Sequence, residues 1–465
     1  MFSMKKYILM TIFILSLILI SCSDDNPGDT NDKCGDGVCD SKEINKGVCP
    51  KDCGSQEIYS AGDTFITYIN SEDRDIAVQI TLPYEPRYLD GAPVLVYTRV
   101  FFTPYHGFGG LNTITEQGFV HVTYLWPGET DRSSGVSSEG VYDYGDEASL
   151  RAFRDVIKFA MGELPNVDGY YINELSEVSI LTKNVGLYAF SHPGIAATNV
   201  LAFYQDDLFE VDYFVGGENP TVDTLSSVEV GHWAGDGSPV YNPYYTYPDD
   251  YTSTKLLVDY SNVAYDFENN VAYFDINADG SADESDDFIL GSRIPQMYDK
   301  RYYSMDLTQA LYDNGALDES NWPSDLATPE EAAEMWPFRS TVDNYDLLKR
   351  SGLKVMLVFA RDDHVQPSPD KPNIHMGFDG FYHTASLWVR LNPDTEYIKL
   401  LSDKVAELSS DNNANSEPSD WLDIRDWAYT NKFGSNNIVP LAAVMEMADR
   451  TYYNNWDDNL DSVLN

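Results

Sequence analysis

Apolar side chains mark a series of short predicted β-strands along the chain. Residues 64–69 and 76–82 alternate apolar and polar positions, which is typical of strands with one buried face. Residues 92–98 are apolar on both faces, as a buried parallel strand requires. Further strands are predicted at residues 119–126, 185–188, 211–215 and 353–359.

A segment with apolar positions three or four residues apart separates two of these strands. Residues 146–161 place Leu150, Phe153 and Ile157 on one stripe, which predicts an amphipathic helix. This helix joins the strand at 119–126 to the next one. Strand, helix and strand joined by long crossovers indicate a parallel sheet.

The strand that begins at Val185 ends in a sharp turn, after which the sequence becomes helix-like. Ser191 lies on that turn, and the small residues Ala189 and Gly194 leave room for a strained backbone that packs closely on its neighbours. Two interpretations are open. Ser191 either caps the following helix or is a nucleophile at the carboxyl end of a strand, where parallel sheets hold ligands.

Residues 189–193, AFSHP, followed by Gly194, resemble the G-x-S-x-G nucleophile elbow of α/β-hydrolases, with Pro193 where a glycine is usual. The resemblance implies an α/β fold over residues 58–465, with a mostly parallel sheet flanked by helices and an inserted cap. It also implies a serine hydrolase of the esterase or S9-peptidase kind, in which Ser191 attacks a carbonyl.

A glycine-rich loop at residues 105–110, YHGFGG, follows the strand at 92–98. In the resembled family, this loop and the residue after the nucleophile donate the hydrogen bonds of the oxyanion hole. The resemblance therefore assigns that role to Gly107 and to the amide of His192. A plain turn is the alternative for the loop.

The buried strand at 353–359 is followed at once by residues 360–367, ARDDHVQP. These residues match the family's acid turn, G-x-x-D-x-V-x-P, except that Ala360 replaces the glycine. The resemblance makes Asp363 the acid of a catalytic triad, with Asp362 as the neighbouring candidate. Two solvated turn aspartates are the alternative.

The histidine of the triad is the weakest point of the resemblance. The family carries it after the last strand, which we predict at residues 396–401, yet no histidine follows His383. One hypothesis makes His383, or else His375, the base that a serine nucleophile needs. A second uses His192 or His106, and a third leaves the fold without a base.

Two functions from different classes follow. The first is a serine hydrolase that cleaves an ester or peptide bond of a small-molecule or peptide substrate through an acyl-enzyme. The second is a catalytically inactive α/β-hydrolase-fold protein that binds a ligand in the same cleft.

The chain is strongly acidic, with 30 Lys and Arg against 75 Asp and Glu and a formal net charge of −45. Such a surface repels nucleic acid and anionic membrane faces, so neither is an expected partner. It is typical of an extracellular protein, where dissolved ions screen the self-repulsion.

The first 22 residues indicate a targeting signal. Lys5 and Lys6 precede an apolar run that is too short to span a membrane and ends at Cys22. The run resembles a bacterial lipoprotein signal, which implies that Cys22 carries the lipid anchor at the outer membrane or cell surface. An ordinary cleaved signal is the alternative. Residues 23–33 are polar and are predicted to be a solvated tether.

Residues 34–54 form a cysteine-rich segment that resembles the CGDGxC modules of bacterial surface proteins. In an exported chain, four cysteines so close together predict two disulfides that stabilise a module too small for its own core. A four-thiolate zinc site is the alternative, although the spacings differ from the usual C-x2-C. The four are Cys34, Cys39, Cys49 and Cys53.

Residues 217–345 are rich in Tyr, Asp and Pro and hold few long apolar runs, so we predict an inserted cap with little core of its own. Within this cap segment, oxygen-bearing side chains fall at the spacing that calcium requires, with Gly280 at the sharp bend. The spacing resembles an EF-hand or dockerin-type loop and predicts a structural calcium ion. A solvated acidic loop is the alternative. The proposed ligands are the backbone carbonyl of Ser281, at loop position 7, and the side chains of Asp275, Asn277, Asp279, Asp283 and Asp286, of which Asp286 is at position 12.

Overall fold

The computed structural model describes residues 57–99, 107–222, 229–246, 257–291, 296–298, 300–348, 352–359, 372–401 and 438–456. An eight-stranded sheet forms the centre of this part of the chain, with the spatial order β1-β2-β4-β3-β5-β6-β16-β17. Its strands are β1 (Thr64–Ser71), β2 (Arg74–Thr81), β3 (Ala92–Thr98), β4 (Val120–Tyr124), β5 (Ile180–Phe190), β6 (Tyr213–Gly217), β16 (Lys354–Val358) and β17 (Trp388–Leu391).

The sheet is mostly parallel. Strand β2 runs antiparallel to β1 and β4, whereas every pairing from β4 through β17 is parallel. Parallel neighbours need helical crossovers, and these cover both faces of the sheet. The predicted α/β fold class, a mostly parallel sheet flanked by helices, is confirmed.

Seven helices are assigned in the described residues, and local signals explain where several begin. The carboxylate of Asp146 accepts the amide of Glu147 at 2.7 Å and starts the first helix, as predicted. Thr328 and Glu331 form a capping box at the fourth. The helices are α1 (Glu147–Ala160), α2 (Pro193–Phe203), α3 (Met305–Asp313), α4 (Pro329–Arg339), α5 (Pro372–Phe378), α6 (Thr395–Lys399) and α7 (Ile438–Tyr453).

The apolar faces of these helices pack on the sheet and bury one core layer on each of its faces. Helices α1 and α2 pack on one face of the sheet, where Phe153 and Ile195 are fully buried. Helix α7 packs on the other face, against Tyr213 and Met356. Among the described residues, no helix combines the length and the apolar character that crossing a bilayer requires.

The cap segment leaves the sheet after β6, and its described residues contain nine short strands besides α3 and α4. It has a buried apolar cluster that includes Phe274, Tyr303 and Leu311, so the expectation of a cap with little core was wrong. The cluster is built from short apolar runs, such as residues 271–274 and 288–290, which a search for long apolar runs overlooks. The strands are β7 (Gly231–Trp233), β8 (Pro239–Tyr241), β9 (Tyr245–Thr246), β10 (Leu257–Val258), β11 (Val263–Asp266), β12 (Val271–Phe274), β13 (Phe288–Ile289), β14 (Gln296–Met297) and β15 (Lys300–Arg301).

The predicted last strand at 396–401 was also wrong. The last strand that the structure describes is β17, and residues 395–399 form α6 instead. The carboxylate of Asp394 accepts the amide of Glu396 at 3.2 Å and so favours the start of a helix. A short apolar run alone does not distinguish a strand from a helix, which is why the prediction failed.

Candidate active site

Ser191 occupies a strained turn between β5 and α2. Its φ is +61°, in the left-handed region that is uncommon for non-glycine residues. Its amide donates to the carbonyl of Gly217 at 2.7 Å, and its carbonyl accepts the amide of Gly194 at 2.9 Å. The N-cap of α2 is His192 rather than Ser191, so the helix-capping interpretation of Ser191 is not supported.

The turn also packs as tightly as predicted. A Cβ on Gly194 would lie 2.1 Å from Cγ of Asn219, which no side chain tolerates. Ala189 is fully buried at the end of the strand. Because Phe190 pairs with Gly217 of β6, the turn lies at the carboxyl edge of the parallel strands.

The two predicted oxyanion donors differ in what surrounds them. His192 stands at the N-terminus of α2, where backbone amides point out of the helix and the helix dipole favours negative charge. The carbonyl of Gly107 accepts a hydrogen bond from Nη1 of Arg99. Tyr105 and His106, the first residues of that loop, lie outside the described residues.

Arg99 itself is held by a buried network directly after β3. Its Nη1 also donates to the carbonyl of Tyr124 at 2.8 Å, and its Nη2 lies 3.2 Å from Oε2 of Glu129. Both side chains of this ion pair are 1% exposed. The pair connects β3, the end of β4 and the Gly107 loop, and nothing in the sequence pattern predicted it.

The acid of the proposed triad cannot be placed, because Asp362 and Asp363 lie outside the described residues. The structure adds a carboxyl group that the sequence reasoning missed. Glu218 directly follows β6, has φ +47° and is 4% exposed, and its amide donates to the carbonyl of Val358 at 2.7 Å. A buried carboxyl group therefore lies at the edge that carries Ser191.

The structure does not bring His383 and Ser191 together. His383 lies in the last turn of the helical segment Asp379–Thr384, which leads into the amino end of β17. Ser191 follows the carboxyl end of β5, at the opposite edge of the sheet. The two ends of a four-residue strand such as β17 lie about 13 Å apart. Nδ1 of His383 lies 2.8 Å from Oδ1 of Asp379, a carboxylate on the same segment.

His375 lies nearer the correct edge. It falls in the first turn of α5, where the side chain of its neighbour Asn373 accepts the amide of Thr221, four residues beyond β6, at 3.3 Å. Burial lowers the pKa of His375 to about 4, so the imidazole is neutral at pH 7. Its position agrees with the open hypothesis that His375 is the base.

The residue that follows the last described strand is Asn392. It is 1% exposed with φ +59°, and its Oδ1 accepts the amide of Phe359 at 3.1 Å. This side chain fastens the end of β17 to the end of β16. An asparagine therefore stands after β17, where the resembled family carries its catalytic histidine.

The predicted calcium loop has the expected bend. Gly280 has φ +76°, and the two oxygens of Asp275 accept the amides of Asp279 at 3.2 Å and Gly280 at 3.0 Å. Side-chain oxygens thus line the loop, and an all-oxygen set matches the ligands that calcium prefers. Among the described residues, no group of three or more His, Cys, Asp or Glu side chains is gathered in a metal-binding arrangement.

The far end of the loop differs from the assigned spacing. Asp287 is 8% exposed, and its two oxygens accept the amides of Ile276 at 2.8 Å and Asp283 at 3.0 Å. Asp286, the predicted twelfth-position ligand, is exposed. Asp287 therefore closes the loop in this structure.

No family model matches the sequence, and no curated protein matches it. Solved structures with a similar arrangement include the acylaminoacyl peptidase of Pyrococcus horikoshii, at 13% identity and TM-score 0.33. That match covers 71% of this chain and 36% of the peptidase, so this chain spans little more than a third of its length.

Two esterases are also similar. One from Rhizomucor miehei is 11% identical, with coverage of 71% of this chain and 73% of the esterase and TM-score 0.36. The esterase of Pyrococcus furiosus is 10% identical, with coverage of 75% and 90% and TM-score 0.32. At such low similarity, the functional argument depends on the residues of this chain.

Proposed function

We propose that this protein is a serine hydrolase that cleaves an ester or peptide bond through an acyl-enzyme. The observation that carries the proposal is Ser191, held at a left-handed backbone conformation at the carboxyl edge of the sheet. Strained backbone conformations of this kind concentrate at functional sites.

In the proposed reaction, Oγ of Ser191 attacks the substrate carbonyl while a histidine accepts its proton. The amide of His192 and the loop at Gly107 stabilise the oxyanion. The same histidine then protonates the leaving group, and water hydrolyses the acyl-enzyme. His375 replaces His383 as the proposed base, because it lies toward the edge that carries the serine; Asp363 remains the proposed acid.

A fluorophosphonate probe tests the proposal, because it reacts covalently only with activated serines. Labelling of the full-length protein is expected and should disappear in Ser191→Ala. Ser179→Ala is the matched control, since Ser179 is exposed and donates to the carbonyl of Asp90 at 2.7 Å, far from the elbow. Absence of labelling in the folded wild type would reject the hydrolase.

The alternative function is ligand binding without chemistry. Two observations favour it. The residue that follows the last described strand is Asn392 rather than a histidine, and His383 lies away from Ser191. A binder would show no labelling and no turnover of ester or peptide substrates, yet would keep the strained elbow.

We further propose that the protein is anchored at the bacterial cell surface or outer membrane through acylated Cys22. Mass spectrometry of the exported protein should find acyl chains on Cys22. The same spectrum with and without reductant tests whether the four cysteines of residues 34–54 form two disulfides. An unmodified Cys22 or four free thiols would reject the respective proposal.

Calcium is proposed to stabilise the loop at residues 275–286. Adding calcium should raise the melting temperature, because an ion that binds only the folded state stabilises it by about 2.7 kcal/mol at a hundredfold excess over Kd. Chelation should reverse the rise, and Asp279→Ala should abolish it. Asp266→Ala is the matched control, since Asp266 also accepts backbone amides in a neighbouring exposed turn. Equal melting with calcium and chelator would contradict the proposal.

A further inference from the structure

A partly buried amide just beyond the neighbouring strand end holds the backbone of the elbow. Nδ2 of Asn219 donates to the carbonyl of Ser191 at 2.7 Å, with the carbonyls of Ala189 at 3.1 Å and Gly217 at 3.2 Å also within reach. These three carbonyls belong to the ends of β5 and β6 and to the turn itself. One side chain therefore connects every part of the backbone that presents the serine.

The fit around Asn219 is tight on two sides. A Cβ on Gly194 would lie 2.1 Å from its Cγ, and a Cβ on Gly216 would lie 2.2 Å from its Oδ1. Both neighbours must be glycine for the amide to reach the turn. The side chain is thus fixed by packing as well as by hydrogen bonds.

The chemistry of the site requires a donor at this position. The three partners are carbonyl oxygens, which only accept, and Oδ1 of Asn219 is buried with no hydrogen-bond partner among the described residues. That unsatisfied oxygen costs free energy. The contacts that Asn219 makes with the elbow are therefore made by the donor side of its amide.

We propose that Asn219 is the positioning residue that keeps Ser191 in its left-handed conformation, a role that rests on the proposed hydrolase function. The amide of Ser191 is held by Gly217, and its carbonyl is held by Asn219 and Gly194. With both ends fixed, the direction of the Cα–Cβ bond is fixed, which limits Oγ to the staggered positions about that bond. A displacement of about 1 Å at a nucleophile is enough to lower the rate about 100-fold.

The test compares Asn219→Leu, which keeps the volume and removes the donor, with Asn344→Leu. Asn344 is a matched control because its buried amide also donates to three oxygens, those of Asn199, Pro337 and Ser340, at 2.9–3.0 Å. Both variants should lose stability. Only Asn219→Leu should slow fluorophosphonate labelling, by about 10- to 100-fold.

The pH dependence of labelling in Asn219→Asp distinguishes a positioning role from a purely structural one. A carboxylate facing three carbonyl oxygens is repelled, whereas its protonated form regains one donor. The labelling rate of this variant relative to wild type should therefore rise as the pH falls. The same ratio for Asn219→Leu should stay constant.

A crystal structure of Asn219→Leu separates failure of this inference from failure of the hydrolase proposal. Ser191 should leave its left-handed conformation while the sheet is retained. If wild type does not label but the elbow relaxes in the variant, the hydrolase proposal falls and the positional role stands. An unchanged elbow would overturn the inference, and so would a variant that labels as fast as a wild type that does label.

Discussion

Replacing Arg99 with methionine is expected to lower the free energy of unfolding by about 3–5 kcal/mol, because it leaves the buried carboxylate of Glu129 without its counter-charge. The carbonyls of Tyr124 and Gly107 lose their donor at the same time. Urea unfolding of both proteins at pH 7 measures the loss. Labelling by fluorophosphonate should also slow, since the loop at Gly107 loses its anchor.

Two further variants separate the ion pair from general damage. Arg99→Met combined with Glu129→Leu should be more stable than Arg99→Met alone, since no isolated charge remains. Arg151→Met removes a more exposed arginine that pairs with Glu72 and Glu147, and it should cost less than about 1 kcal/mol. A loss below 1 kcal/mol for Arg99→Met would contradict the assigned role.

Acid is expected to destabilise the protein through His121, a β4 residue that is 2% exposed. Burial lowers the pKa of His121 to about 4, below the value of about 6.5 in an unfolded chain. As the pH falls, the unfolded state takes up the proton first. The stabilisation is therefore complete above pH 6.5 and is lost between pH 6.5 and 4, by about 3 kcal/mol.

His121→Leu removes this proton uptake while keeping an apolar side chain beside Tyr97, whose ring centroid lies 6.3 Å from that of His121. Urea unfolding at several pH values should give a shallower loss of stability for the variant than for wild type. His383→Leu is the control, because its side chain is 46% exposed. Parallel pH curves for wild type and His121→Leu would show that this histidine does not titrate on unfolding.

Much of the sheet was predictable because β3 and β16 carry nearly continuous apolar runs, whereas β1 and β2 alternate apolar and polar positions. Local signals also predicted two other elements. An acidic N-cap and an apolar stripe indicated α1, and the small residues Ala189 and Gly194 indicated the turn at Ser191. Prediction failed at the β17 end of the sheet, because that strand is only four residues long. Arg390 on that strand pairs with the fully buried Glu446 of α7, a contact no local pattern shows.

The candidate site was only partly predictable. The strained serine follows from the order of elements, whereas Asn219, Glu218 and Arg99 reach the site through pairings between distant strands. A single sequence contains no signal for such pairings. His383 was a reasonable hypothesis from residue type alone, and only the direction of β17 shows that it approaches the sheet from the opposite end.

The insertion between β6 and β16 also affects how the chain folds. These strands are hydrogen-bonded neighbours, yet residues 218–353 separate them. Closing so long a loop costs conformational entropy before the contacts between the two strands stabilise the chain. Folding is slower as a result. The insertion contains its own buried cluster around Phe274 and Leu311, so folding of that cluster before β6 and β16 pair would shorten the effective loop between them.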